Sequence, residues 1–191
     1  MKPVNDWENV KPTGDFETLP IGGYICEIKS AKEKPNKNGG GTHLEIMVDV
    51  IDGDYKGFFE RDYRAQSGED KYWRGIIYQN CPNDASDKYE SQKSFFKRFT
   101  DAIEDSNNGY HWGWDEATLK GKKCGVIFGG KEKVSKKGTQ YIATYADSIV
   151  TVDDIKNGKF KIPAIQKAQQ GATAATAFSQ VPAEDDSTLP F

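Results

Sequence analysis

The chain has 191 residues, 36% of them hydrophobic, and a formal net charge of −3, which suits one packed domain with arms, since single domains usually run to about 100–200 residues. No run approaches the roughly 18 apolar residues that a membrane span needs, and the start Met1-Lys2-Pro3-Val4-Asn5-Asp6 lacks a signal-peptide apolar region. Cys26, Cys81 and Cys124 are odd in number and show no Cys-x-x-Cys spacing, so neither a disulfide framework nor a zinc site is indicated, and a soluble, cytoplasmic protein with reduced cysteines is expected.

Residues 1–20 hold three prolines and no sustained period, which predicts an irregular arm anchored through Trp7 or Phe16. Strand signals begin with Tyr24-Ile25-Cys26-Glu27-Ile28-Lys29-Ser30, where apolar residues recur with period two, and end in the flexible loop Pro35-Asn36-Lys37-Asn38-Gly39-Gly40-Gly41. In a second strand Leu44, Ile46, Val48 and Val50 share one face, and His43, Glu45, Met47 and Asp49 share the other. The turn Asp52-Gly53-Asp54 then leads into a third predicted strand over residues 57–64.

Over residues 69–106 the period becomes helical. Tyr72, Trp73, Ile76 and Ile77 form one apolar cluster, and Phe95, Phe96, Phe99, Ala102 and Ile103 form a stripe of a second helix that Asn107-Asn108-Gly109 stops. An aromatic loop Tyr110-His111-Trp112-Gly113-Trp114 follows, and Asp115 is placed to cap one short turn. Residues 122–134 alternate with Cys124, Val126 and Phe128 inward, Ser135-Lys136-Lys137-Gly138 reads as a basic hairpin loop, and residues 139–150 read as the fifth strand. Residues 150–170 are expected to form a turn, a short strand and part of a helix, and Gly171-Ala172-Thr173-Ala174-Ala175-Thr176-Ala177 reads as a low-complexity linker.

Five short strands with helices between the third and fourth predict a mainly β fold, the five-stranded, partly open Greek-key barrel called the oligonucleotide-binding (OB) fold. A sandwich and an α+β sheet remain open at this level. The chain divides into an arm (1–20), the barrel domain (21–167), and a linker with an acidic tip (168–191).

Charge is unevenly spread. Residues 120–146 hold seven Lys against the single acid Glu132, whereas residues 168–191 hold three acids and no Lys or Arg, so a locally basic surface can attract a polyanion although the molecule is acidic. The chain ends Glu184-Asp185-Asp186-Ser187-Thr188-Leu189-Pro190-Phe191. Glu184, Asp185 and Asp186 suit a basic partner, Pro190 fixes the backbone, and Leu189 and Phe191 suit an apolar pocket.

With strand order, basic hairpin and acidic tip combined, residues 21–150 and 184–191 resemble bacteriophage-type single-stranded DNA-binding proteins. The passage from Asp115 through Leu119-Lys120-Gly121-Lys122-Lys123-Cys124 to Gly129, and the closing Leu189-Pro190-Phe191, carry the likeness. Ser187 and Thr188 separate the acids from the apolar triplet, a departure from the family pattern. The resemblance implies sequence-tolerant coating of single-stranded DNA during replication, recombination or repair, with the tip recruiting enzymes of those processes, no cofactor, no catalysis, and residence in the host cytoplasm if phage-encoded; homo-oligomerisation is left open.

Single strands are held by cations that track phosphates and by aromatic faces on which bases stack. In the predicted third strand Phe59, Arg61 and Tyr63 share one face, which is expected to meet the DNA strand, with Phe58, Glu60 and Asp62 on the other; the alternation alone leaves open the opposite orientation, with Phe59 in the core. Barrels of this class grip their ligand between the loop joining strands one and two and the loop joining strands four and five. Lys34 and Lys37 flank the first, Lys131, Lys133, Lys136 and Lys137 surround the second, and Tyr141 and Tyr145 share a face of the fifth strand.

A non-enzymatic rival is an adaptor or recombination accessory that binds DNA weakly and works through its tail. A remote alternative is a metal-dependent nuclease, suggested by Glu27-Ile28-Lys29. That motif lacks a strand-held upstream Asp, and Asp49, Asp52 and Asp54 lack the further ligands of a calcium loop. His43 and His111 have no second ligand at metal spacing.

Overall fold

The computed structural model of the protein describes residues 17–37, 39–66, 71–135 and 138–167. Five strands form one antiparallel sheet: β1 (Gly22–Pro35), β2 (Thr42–Val50), β3 (Ile76–Asn80), β4 (Lys123–Val134) and β5 (Gln140–Val150). Their order is β3-β2-β1-β4-β5, and the two edge strands curl toward each other, giving a nearly closed, barrel-like sheet. Helices α1 (Phe58–Ala65), α2 (Tyr89–Ser106) and α3 (Val152–Lys156) and one 3-10 turn (Glu116–Leu119) complete the described residues. None of these helices is long and apolar enough to cross a membrane.

β1 is shared between two partners. Its first half pairs with β4, from Gly22 opposite Phe128 to Glu27 opposite Lys123, and the remainder pairs with β2, ending with Pro35 opposite Thr42. A register shift between Ile28 and Ser30 marks the handover, and such a bulge bends the strand and increases its twist. The concave side collects the core: Cys26, Ile28, Leu44, Ile46, Val48, Val50, Cys124, Val126 and Phe128 are buried there with Phe96, Phe99 and Ile103 of α2. Cys26 and Cys124 face each other across β1 and β4 as free thiols, and burial pushes the Cys124 thiol up to about 12.

Two predicted elements are corrected. The segment expected as the third strand is α1, and the cluster Tyr72, Trp73, Ile76 and Ile77 is no helix: Ile76 and Ile77 start β3 instead. The first correction traces to Asp49, which shares the His43 and Glu45 face of β2 yet is 2% exposed. Gly57, at φ 70, makes the left-handed entry to the helix that a side chain would resist. Without a cap of its own from Gly57, α1 draws on Asp49, which accepts from the amides of Phe59 (2.9 Å) and Glu60 (3.3 Å) and from Val50 (2.9 Å). Those helical amides have no partner within the helix. Phe58 and Phe59 are both carried inward, Phe59 stacking on Phe128 at 5.6 Å. A further departure is on α2, where Phe96, Phe99, Ala102 and Ile103 are buried but Phe95 stands 64% exposed.

The end of α2 is tied to β4 by Asn107, whose side chain donates to Ile103 and Lys123 carbonyls and accepts from the Lys123 amide. Asp115 caps the 3-10 turn by accepting from Ala117 at 2.9 Å. Beyond β5, α3 and residues 159–167 lie as a strap against the convex side of β1 and β4, closing with Gln166 bridged to Lys131. Glycines make this approach feasible: a Cβ on Gly23 would stand 2.6 Å from Phe160, one on Gly125 2.5 Å from Ile155, and one on Gly129 2.7 Å from Pro163. β4 is consequently buried on both sides from Cys124 to Gly130.

Asp49→Ala should lower the urea midpoint markedly, because each buried amide left without an acceptor costs about 1–3 kcal/mol; Asp49→Asn, which keeps one acceptor oxygen, should lose less. Burial raises the Asp49 pKa above its ordinary 3.8, outweighing the amide hydrogen bonds that pull it down. The protonated form is thus the one the fold prefers: its contribution is complete below about 3.8 and is lost as pH rises through the higher folded value. Asp49→Asn should remove this component from a series of urea melts across acid pH. Gly129→Ala should cost about 1–3 kcal/mol by overpacking and speed tryptic cleavage after Lys159 and Lys161 as the strap lifts.

Candidate nucleic-acid interface

The strap divides the convex surface of the sheet. The half over β1 and β4 is covered, whereas the half over the end of β1, β2 and β3 is open. On that open half the register sets two rows side by side, Lys34–His43–Asn80 and Lys32–Glu45–Tyr78. Tyr78 is 63% exposed, and its ring meets His43 edge-on with centroids 5.5 Å apart. His43 is fixed in turn by its Nδ1–H, which donates to Asn36 Oδ1 at 2.7 Å. Two flat rings therefore stand on a sheet face, one held by the β1–β2 loop.

Charge on this face is compensated rather than uniformly positive. Glu45 lies at its centre, and the Lys34 ammonium reaches it at 2.7 Å. Lys32 and Lys37 are exposed beside them, and neither has an ion-pair partner among the described residues. Exposed pairs such as Lys34–Glu45 contribute little to stability, so the lysine can exchange Glu45 for a phosphate at small cost.

The structure brings some of the expected site residues together and separates others. Lys34 and Lys37 stand at the open face. Phe59, Arg61 and Tyr63 do not form a face: on a helix, residues two apart point in different directions. Phe59 is core, Arg61 donates to the Lys56 carbonyl, and Tyr63 packs on Trp73 at 5.9 Å. Lys131 and Lys133 are exposed on the β4–β5 hairpin, with Tyr141 opposite Lys133 and 47% exposed. Tyr145 is half-buried on the strap, its hydroxyl accepting from Gln166 at 2.8 Å, so it is not an open stacking surface. Lys136, Lys137 and the tip residues Glu184, Asp185, Asp186, Leu189, Pro190 and Phe191 lie outside the described residues, as do Trp7 and Phe16.

The two lysine loops leave the sheet at opposite ends of β1. The β1–β2 loop leaves where Pro35 meets Thr42, and the β4–β5 hairpin runs on past Gly22 at the other end of β1. About 45 Å of strand contour separates those ends at the usual rise per residue. Sequence reading missed Tyr78 because it lay in a stretch assigned to a helix; the alternation Ile77 buried, Tyr78 exposed was the available signal. The Glu27 and Lys29 pair of the nuclease reading is a mutual ion pair at 2.8 Å. Of the acids around the Gly53 turn, Asp49 is the α1 cap and Asp52 accepts from the Gly53 amide. No group of three or more His, Cys, Asp or Glu is placed to hold a metal ion among the described residues. In comparisons with known proteins, the sequence matches no family model and no curated protein.

Proposed function

We propose that the protein binds single-stranded DNA without sequence preference, laying the strand across the open half of the sheet and using its acidic tip to recruit replication, recombination or repair enzymes. The observation that carries this reading is the exposed Tyr78 ring set against His43 and flanked by Lys32, Lys34 and Lys37. A π face beside cations is the combination that unpaired bases and phosphates require, and duplex DNA offers no free base face to it. The strand order β3-β2-β1-β4-β5 with converging edges supports reading the sheet as an OB barrel, and the resemblance of residues 115–129 and the closing Leu189-Pro190-Phe191 to phage single-stranded DNA-binding proteins supports the same assignment. Glu45 at the centre of the face favours a second reading, an adaptor that binds DNA weakly and works mainly through its tail.

Titration with oligo-dT against duplex of equal length separates the two. Single-strand preference with a log affinity that falls against log salt at a slope near −3, as about four neutralised phosphates would give, is expected. Tyr78→Ala should weaken oligo-dT binding by about 5- to 150-fold, equivalent to one lost stack of about 1–3 kcal/mol. Equal binding of duplex, or an unchanged affinity in Tyr78→Ala, would exclude the open face as the site.

A further inference from the structure

We propose that the strand path continues past Tyr78, over α2, to a second stacking station built by Phe96 and Trp114; this rests on the single-strand reading above. Two clefts carry the inference. The first, about 340 Å³, runs along the seam between β3 and β5 and is lined by Tyr78, Phe95 and Arg98. The second, about 900 Å³, lies on the far flank of α2 and is lined by Phe96, Trp112 and Trp114. Arg98 and Ile149 line both, so the clefts adjoin between the open sheet face and the aromatic loop.

The surface along this path has the chemistry of a single-strand track. Phe95 is 64% exposed, although it sits one residue from the buried Phe96. Arg98 is exposed at the junction, with no ion-pair partner among the described residues, while Lys93 and Lys97, paired with Glu90 and Asp101, stand within two helical turns of it. Trp114 is 75% exposed and lies nearly parallel to Phe96, 7° between planes with centroids 5.9 Å apart. Its outer face is free to take a base as the next plane in the stack.

The Trp114 backbone argues in the same direction. At φ 62 it is the one non-glycine residue with a positive φ among the described residues, a conformation that bulky side chains avoid. Folding gains little in return from an indole left so open. The loop is nonetheless held firmly: Glu104 accepts from the Trp112 amide at 2.8 Å and lies 3.1 Å from His111 Nδ1. The indole N–H of Trp112 is buried and has no acceptor among the described residues, a donor suited to a base carbonyl once the loop adjusts.

Acidic groups share the second cleft, and the nearest are already engaged. Asp101 is paired with Lys97, and Glu104 with the Trp112 amide and His111. Asp105 and Asp154 line it too, and like charge there disfavours carrying phosphates further along this cleft.

The test compares oligo-dT of about 5 and about 16 nucleotides, lengths that span the usual footprint of such a domain, on the full chain. Trp114→Ala should bind the short oligonucleotide within about twofold of wild type and the long one about 5- to 150-fold more weakly. Trp114→Phe should restore the long-strand affinity, and Tyr78→Ala should weaken both lengths. Equal long-strand affinity in Trp114→Ala and wild type overturns the proposal and leaves the cleft to a protein ligand. Equal weakening at both lengths overturns it as well, since the residue would then act through the fold. If wild type binds neither length, the single-strand reading itself fails and this proposal falls with it.

Discussion

The division of β1 between two neighbours governs the rest of the molecule. A strand bonded to β4 along its first half and to β2 along its second has to bend between them, and the shift at Ile28 and Ser30 is where it does. That bend turns five strands into a curved sheet with a single interior, brings β3 toward β5, and leaves one convex surface for everything else. The two buried thiols mark the handover: Cys26 is the residue at which β1 faces Cys124 on one side and Val50 on the other. Side chains larger than these would press on the most crowded part of the core.

What happens on the convex surface is a competition for space. Glycines at 23, 125 and 129 remove the side chains that would keep the strap away, so Ile155, Phe160 and Pro163 pack directly on backbone. The covered half thereby gains an apolar lining and loses any role as a polar binding surface. The uncovered half keeps Tyr78, His43 and lysines, residues that cost little to leave exposed and would be costly to bury unpaired. The fold thus commits one half of the sheet to packing and leaves the other exposed, with Glu45 at its centre and Tyr78, His43 and lysines around it.

Helix α1 shows how a single buried carboxylate changes the reading of a segment. Residues 58–65 alternate well enough to pass for a strand, yet three amide hydrogen bonds to Asp49 and the left-handed entry at Gly57 make the helix the lower-energy answer. Phe59 then becomes a core residue rather than a ligand for bases. The shift of Ile76 and Ile77 from helix to strand follows, because β2 needs a partner on its open edge and β3 supplies it, with Ile77 inward and Tyr78 outward.

Sequence alone was enough to define β1, β2, β4 and β5, the buried stripe of α2, and the lysines at two hairpins, because local alternation, turn glycines and charge are properties of neighbours in the chain. Phe95, Phe59 and Tyr78 were assigned to the wrong surfaces or missed, since period-two and helical patterns both fit short aromatic runs and neither records which side a distant element will cover. Only tertiary structure decided that Asp49 would be buried as a cap, that the strap would close one half of the sheet, and that His43 and Tyr78 would meet. Those outcomes depend on contacts between residues tens of positions apart, where burial and hydrogen-bond satisfaction outweigh local preference.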